Sequence, residues 1–405
     1  MKTTIKIAWR NIWRTPLRSM IVISSIILGI WAGIFVVAFC YGLNKQRTLS
    51  SIQNYTSHIQ ILHPEYDNDF ESKYVLENID FISESLEKEE GIKAYALRTM
   101  MFGMVSSPVK SNGVQIIGVN TNQEKKVSNI VNKLIEGNYF DTKRKNAVLI
   151  GESLAEKLNI SLKSKIVLTF QDNENNIITG AFRICGIYKT QYSKYDESHL
   201  FVQNKDLHRL IKNKGYHQVA ILCSNLSIVD QTQVSLKNKL DGYIIKDWKA
   251  ISPELAYADE VMETWLFLIM IIIMLALIFG IINTMLMAVF ERRKELGMLM
   301  AIGMNKSKIF SLIIIETLFL SLIGAPMGML MGFITIIITS KTGIDLSIVG
   351  DGLESVGLSN YIYPVIAPKF YAFIGLMVFL FTLIAAIYPS KKALKLKPTE
   401  AIRTI

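Results

Sequence analysis

A bilayer's hydrocarbon core of about 30 Å takes roughly 20 helical residues to cross, and four stretches of this chain meet that requirement. Ser19 to Leu43, Thr264 to Phe290 and Phe370 to Ser390 carry no charge, and Ile309 to Ser340 carries one, Glu316. A helix apolar on every side has no place on the surface of a soluble fold, so four in one chain make it a multi-pass membrane protein. Between the first two spans lies a long polar segment of mixed α/β character. The expected fold class is an α-helical membrane protein with four transmembrane helices plus a mixed α/β extracytoplasmic domain inserted between the first and second spans.

Lys and Arg beside the span ends set direction. Lys2, Lys6, Arg10, Arg14 and Arg18 precede the first span. Arg292, Arg293, Lys294, Lys306 and Lys308 lie between the second and third, and Lys391, Lys392, Lys395, Lys397 and Arg403 follow the fourth. The third-to-fourth connection holds only Lys341 and Lys369, at its two ends. Both termini and the loop around Arg293 are therefore expected in the cytoplasm, and the polar segment outside it. The net charge of +10 sits largely in these flanks, which assigns it to the membrane surface and excludes a nucleic-acid partner. The expected division is a cytoplasmic interfacial helix (1–18), a first span (19–43), an extracytoplasmic domain (44–263), a second span (264–290) and a cytoplasmic coupling loop (291–308). A third span (309–340), an extracytoplasmic loop (341–369), a fourth span (370–390) and a cytoplasmic tail (391–405) complete it.

Residues 1–18 read as a basic amphipathic helix with Ile5, Ala8, Trp9, Ile12 and Trp13 on one face. Such a helix lies in the headgroup layer, with Trp9 and Trp13 at the interface and Arg10 and Arg14 on lipid phosphates. Pro16 marks the bend into the span. The first apolar run is too long for a secretory signal and has no evident small-x-small cleavage site, so an uncleaved anchor is expected.

In the polar segment, Ser57 to Leu62, Gly113 to Val119, Ala147 to Ile150, His199 to Val202 and Gln218 to Cys223 read as strands. Asn78 to Glu90, Glu152 to Leu158 and Ile228 to Leu240 read as helices. Lys165 to Phe170 and Ile177 to Tyr188 bracket a turn at Asp172 to Asn176, a hairpin signal. A helix from Pro253 continues into the second span as a stalk. No His-Glu-x-x-His, Gly-x-Ser-x-Gly or paired-cysteine zinc spacing occurs, and the five histidines are scattered. Cys185 and Cys223 admit either a disulfide or two free thiols. The segment reads as a binding or force-transmitting module, with no catalytic, metal or cofactor site in the chain.

The loop after the second span, Gly280 to Met304, runs GIINTMLMAVFERRKELGMLMAIGM. Leu296, Met298, Leu299 and Ile302 are apolar on a short helix, while Glu291, Arg292, Lys294 and Glu295 can meet water or a partner. A short helix parallel to the membrane suits docking of a cytoplasmic subunit. In the third span Gly324, Gly328 and Gly332 share one helical face and permit close approach of another helix, within the chain or across a dimer. Pro326 among them suggests a kink. Glu316 must face protein or water, and Asn283 has a structural hydrogen-bonding role between helices.

Three pieces resemble the MacB/FtsX-type ABC transporter permeases: Ala8 to Ser19, AWRNIWRTPLRS; Asn283 to Gly303, with its NT…ER..ELG…AIG pattern; and Tyr388 to Arg403, YPSKKALKLKPTEAIR. The resemblance implies mechanotransmission by a permease dimer, either two copies or two related chains, above a cytoplasmic ABC ATPase dimer that holds ATP and Mg. It makes Glu291, Arg292, Arg293, Glu295, Leu296, Gly297 and Met298 the ATPase-coupling residues. No Gly-x-x-x-x-Gly-Lys-Ser/Thr occurs, so ATP hydrolysis falls to a separate subunit. Ala147 to Val167 and Phe182 to Val202 look like the lipoprotein-releasing (LolC/LolE-type) subunits. That implies lipoprotein release from a bacterial inner membrane toward a periplasmic carrier, the acyl chains leaving through an apolar cavity lined by the first two spans. MacB-like export of peptides or drugs from the periplasm, and FtsX-like signalling to an extracytoplasmic enzyme, remain open alternatives.

Overall fold

The computed structural model describes residues 2–14, 16–140, 145–172, 174–212 and 214–395. The end of the closing motif, with Lys397 and Arg403, and the side chain of Arg18 lie outside the described residues. The chain divides into two compact units. One is Met1–Asn44 with Glu260–Asp345 and Tyr361–Ile405; the other is Lys45–Asp259 with Leu346–Asn360.

In chain order, α1 (Lys2–Arg14) and α2 (Pro16–Ser51) lead to β1 (Ile59–Leu62), α3 (Pro64–Asp69), α4 (Ile79–Glu87), β2 (Ile92–Ser106), β3 (Ser111–Val119) and α5 (Thr121–Val127). Then come β4 (Leu134–Gly137), β5 (Ala147–Gly151), α6 (Glu152–Leu158), β6 (Lys165–Gln171), β7 (Ile177–Tyr188), α7 (Ser193–Ser198), β8 (His199–Gln203) and α8 (Asn204–Ile211). The polar segment closes with β9 (Gln218–Cys223), α9 (Val229–Lys239), β10 (Ile244–Asp247) and α10 (Trp248–Ile251). The remainder is α11 (Pro253–Glu291), α12 (Arg293–Ala301), α13 (Lys306–Thr342), β11 (Ile344–Asp345), α14 (Gly350–Ser355), β12 (Tyr361–Ile362) and α15 (Pro368–Leu394).

Among the described residues, α2, α11, α13 and α15 are the helices long and apolar enough to cross a membrane. Their inward faces meet in one cluster that includes Ile26, Ile30 and Ile34 of α2, Met274 and Ile281 of α11, Ile313 and Leu320 of α13, and Val378 and Ala385 of α15. Their outward faces stay apolar, with Leu28, Phe279, Leu322 and Phe379 exposed, as contact with lipid tails requires. Pro326 sits inside α13, which is one helix from Lys306 to Thr342. Membrane helices tolerate an internal proline because neighbouring groups re-satisfy the freed carbonyl.

The second unit is built on ten strands in the order β10-β1-β9-β2-β3-β8-β5-β7-β4, with β6 pairing both β2 and β7. That extra pairing closes a ring, β2-β3-β8-β5-β7-β6, around a core that includes Met101, Ile116, Val148, Leu168, Phe182 and Val202. Closure removes exposed edges from this part of the sheet. Strand β2 belongs to both halves: Arg98 pairs with Gln218 of β9, and Gly103 with Phe170 of β6. A second core covers the open half, with Ile82 and Leu86 of α4 and Val229 and Leu236 of α9 packed over Ile59, Ile61 and Ile221. Each such side chain contributes about 1.5–3 kcal/mol by burial.

Arg98 and Glu124 are both buried and meet through two contacts, 2.6 and 3.0 Å; losing one partner of such a pair costs about 3–5 kcal/mol. Cys185 and Cys223 are free thiols, in different cores. Part of the connection between α13 and α15, 346–360, belongs to this unit. Lys189 bridges Glu152 (2.9 Å) and Glu354 (3.3 Å), and Ser193 Oγ donates to the Glu354 carbonyl at 3.3 Å. Sequence reasoning treats that stretch only as a loop.

The histidines act as structural connectors. His217 is fully buried; its Nδ1 accepts from Met100 N at 3.2 Å and its Nε2 donates to Ser72 O at 2.9 Å. This is the bonding of the neutral ring, and burial pushes its pKa down from 6.5 to about 4. A depressed histidine stabilises the fold above its unfolded pKa, and that contribution is lost as pH falls from 6.5 to about 4. The wild type should therefore lose up to about 3 kcal/mol more than His217→Asn across that window. Denaturant melts of both proteins as a function of pH check this, and parallel curves would contradict it.

Candidate coupling site

Helix α11 ends at Glu291, and Arg292, at φ −93° and ψ 18°, breaks the run before α12 begins at Arg293. Gly303, at φ +98°, turns the chain after α12 in a conformation that side-chain-bearing residues rarely adopt. Asn305 then starts α13 by accepting a hydrogen bond from Ser307 N at 3.3 Å.

Arg292 does not turn outward, as the sequence suggests; its side chain is 12% exposed and points into the helix bundle. Nη1 donates to Glu316 Oε1 of α13 at 3.0 Å, and Nη2 donates to the Asn11 carbonyl of α1 at 3.0 Å. Nε lies 4.0 Å from Glu295 on α12. One guanidinium thus ties the start of α12 to α1 and α13. The pairing is dictated by Glu316, a carboxylate 10% exposed on an apolar span, which needs a cation to remain there. A more exposed pair, Arg14 and Glu295 at 3.2 Å, links α1 to α12 again. These elements enclose a cavity of about 710 Å³, floored by Met285, Val289 and Leu312 and flanked by Lys6 and Arg10.

Helix α1 gives Ala8 and Ile12 to the buried core, while Arg10 and Arg14 are exposed. Trp9 and Trp13 remain 45% and 62% exposed, with Trp9 edge-on to Phe319 at 5.3 Å. Ser19 Oγ donates to the Ile12 carbonyl at 2.8 Å across the junction with α2. On α12, Leu296 and Gly297 are buried, Arg293 is half-buried, and Glu295, Met298 and Ile302 are exposed, as is Glu291 at the end of α11. The named docking residues therefore fall into two sets, one anchoring α12 and the other outward.

The three glycines of α13 face α2 of the same chain. A Cβ would stand 2.9 Å from Ile26 Cγ2 at Gly324, 3.0 Å from the Ile27 carbonyl oxygen at Gly328 and 2.9 Å from Ile34 Cγ2 at Gly332. Asn283 departs from its expected role. Its side chain is exposed, on the outward face with Phe279 and Met287, because positions four apart share a helix face; none of the hydrogen bonds among the described residues involves it. Nor do the first two spans leave room for a cavity at Gly29, where an added Cβ would collide with Leu277. A large apolar cavity, about 800 Å³, instead lies along α13 and residues 364–371, between Pro326, Phe333, Ile337, Val365 and Tyr371.

Among the described residues no group of His, Cys, Asp and Glu is arranged to hold a metal. The MacB-like periplasmic core domain profile matches residues 19–239, more than half of the chain, and the FtsX-like permease C-terminal profile matches 267–398. The chain belongs to the MacB/FtsX-type family of ABC transporter permeases. This permease is similar to the lipoprotein-releasing system transmembrane protein LolC of Neisseria meningitidis, 22% identical over 95% of this chain and 94% of that one. The LolC of Buchnera aphidicola subsp. Acyrthosiphon pisum is 24% identical over 98% of this chain and 97% of its own length. Among solved structures, the periplasmic region of MacB from Actinobacillus actinomycetemcomitans overlays 52% of this chain and 98% of that one, with 16% identity and a TM-score of 0.35. This permease is a multi-pass membrane protein with an α/β domain between its first two spans.

Arg292→Gln, which removes the guanidinium that Glu316 meets at 3.0 Å, should destabilise the detergent-solubilised permease by up to about 3–5 kcal/mol, whereas the charge swap Arg292→Glu with Glu316→Arg should recover part of that. Thermal unfolding of the three proteins reads the effect. A single variant as stable as the wild type would remove the junction from the account.

Proposed function

We propose that this chain is the permease subunit of an ABC transporter that works by mechanotransmission, with both termini and α12 in the cytoplasm and the α/β domain in the periplasm. A separate ATPase dimer, carrying ATP and Mg, docks on α12 from below. The observation that carries this reading is the buried junction at Arg292, which makes α12, α1 and α13 move as one body. Force applied to the outward residues Glu291, Met298 and Ile302 is delivered to α13, and through its glycine face to α2. A second permease copy or a related permease completes the complex. The exposed Asn283 supports that contact, since an amide on a lipid-facing helix is stabilised by a partner across an interface.

The end-to-end likeness to LolC proteins supports one substrate class, lipoproteins anchored in the inner membrane and handed to a periplasmic carrier. Acyl chains enter apolar space between spans, and the α/β domain engages the polar cargo outside. The membrane-side partners of α1 are lipid headgroups at Trp9, Arg10, Trp13 and Arg14.

Two measurements test this. Glu291→Lys combined with Met298→Ala should weaken ATPase binding by about tenfold to a hundredfold, the effect of removing two central contacts, in pull-downs from membranes; undiminished co-purification removes the outward face of α12 from the interface. Depletion of the permease should leave lipoproteins in the inner membrane, read by membrane fractionation. Correct sorting with altered sensitivity to a peptide or drug would move the function to efflux instead.

A further inference from the structure

We propose that the α/β domain binds a phosphomonoester in a cavity at the carboxyl ends of β3 and β8. These two strands are adjacent and parallel, and Val119 and Gln203 form their last register pair. In parallel sheets the crevice beyond the carboxyl ends of neighbouring strands is where ligands bind. Here it opens into a cavity of about 670 Å³, within the range of small-molecule sites.

Its walls carry Lys205, Arg209, Lys212 and Lys214 and, among the described residues, no carboxylate. Arg209 is held in place by Asp206, 3.2 Å away and itself fully buried. Helix α8 begins at the cavity, and its N-cap residue Gln203 makes no capping bond, so the positive end of the helix, offset in part by Asp206 in the first turn, faces it. Two buried amides line the same space, and one of them, Gln203, offers an unused donor. Gln203, 4% exposed, has its Nε2 buried and unbonded. Asn204, 7% exposed, donates through Nδ2 to Leu97 O at 3.2 Å while its Oδ1 is unbonded. A buried donor left without an acceptor costs about 1–3 kcal/mol, a cost that a ligand oxygen on Gln203 Nε2 removes.

The charge selects among anions. Lys212 and Lys214, with Arg209 shared with Asp206, favour a phosphomonoester, which brings about two negative charges at neutral pH and three acceptor oxygens, over a carboxylate, which brings one. The phosphate can belong to a free soluble ester or to the headgroup of a membrane lipid such as phosphatidic acid, and the cavity offers the same contacts to both.

The full chain in phosphatidylcholine nanodiscs, titrated calorimetrically with glycerol phosphate, should show saturable binding. Lys212→Gln with Lys214→Gln should weaken it about tenfold or more, and Gln203→Leu about fivefold, the loss of one hydrogen bond. Gln203→Leu should also raise the Tm of the ligand-free protein, because it removes an unsatisfied buried donor; a residue with a purely structural role would lower it. Nanodiscs containing phosphatidic acid separate the sources: competition against glycerol phosphate assigns the site to a lipid headgroup, and no competition assigns it to a soluble ester. The proposal is overturned if glycerol phosphate does not bind saturably, or if Gln203→Leu lowers Tm and leaves affinity unchanged. Equally tight binding of polyglutamate, insensitive to Gln203→Leu, would also overturn it, since that marks a basic surface for acidic proteins.

Discussion

A carboxylate cannot stay charged on an apolar span unless a cation reaches it, and among the described residues Arg292 reaches Glu316 at 3.0 Å. The choice of Arg292 matters because it stands at the break between α11 and α12 and has donors left over. Its guanidinium satisfies Glu316 and the Asn11 carbonyl at 3.0 Å each, so one residue fixes the angle at which the loop helix leaves the membrane helix. The planar fork of arginine suits this task, whereas a lysine ammonium offers no such geometry. The same requirement that stabilises the bundle therefore ties the start of α12 to α1 and α13.

The spans were legible because their constraint is strong: an uncharged apolar run of sufficient length has few other fates. The hairpin at Asp172 to Asn176 was equally legible, since Asp172 Oδ1 accepts from the backbone N–H groups of Glu174 and Asn176 and fixes the turn locally. Strand β2 was not legible. Its middle, Leu97 to Met101, is buried on both faces, because one half of the domain packs on each side, so the alternation that identifies a strand is absent. It also contains Arg98, whose partner Glu124 lies in a separate helix. The closure of the ring by β6 depends on that unseen strand and was invisible with it.

The candidate site was half legible. Its location followed from the cluster of charges after the second span and the family pattern there. The division of labour within it did not, because sequence assigns a charged residue to solvent by default, and only the three-dimensional position of Glu316 turns Arg292 inward. The lone acid of the third span was the available signal, since an isolated intramembrane carboxylate implies a cation near the same membrane face. Asn283 shows the opposite case: its amide suggests contact between helices, yet within this chain its side chain is exposed on the face that carries Phe279 and Met287.

The central claim is that α12 and α1 travel as one body when the ATPase turns over. Spin labels placed on Lys294 and Lys6, in a cysteine-free background of the assembled transporter, measure this directly by pulsed dipolar spectroscopy. The intrachain distance should keep the same narrow distribution in nucleotide-free and ATP-trapped states, and broaden when Arg292 is replaced by Gln. A wild-type distance that shifts between the two states would contradict it, for then the loop helix would slide over α1 and force would not pass through Arg292.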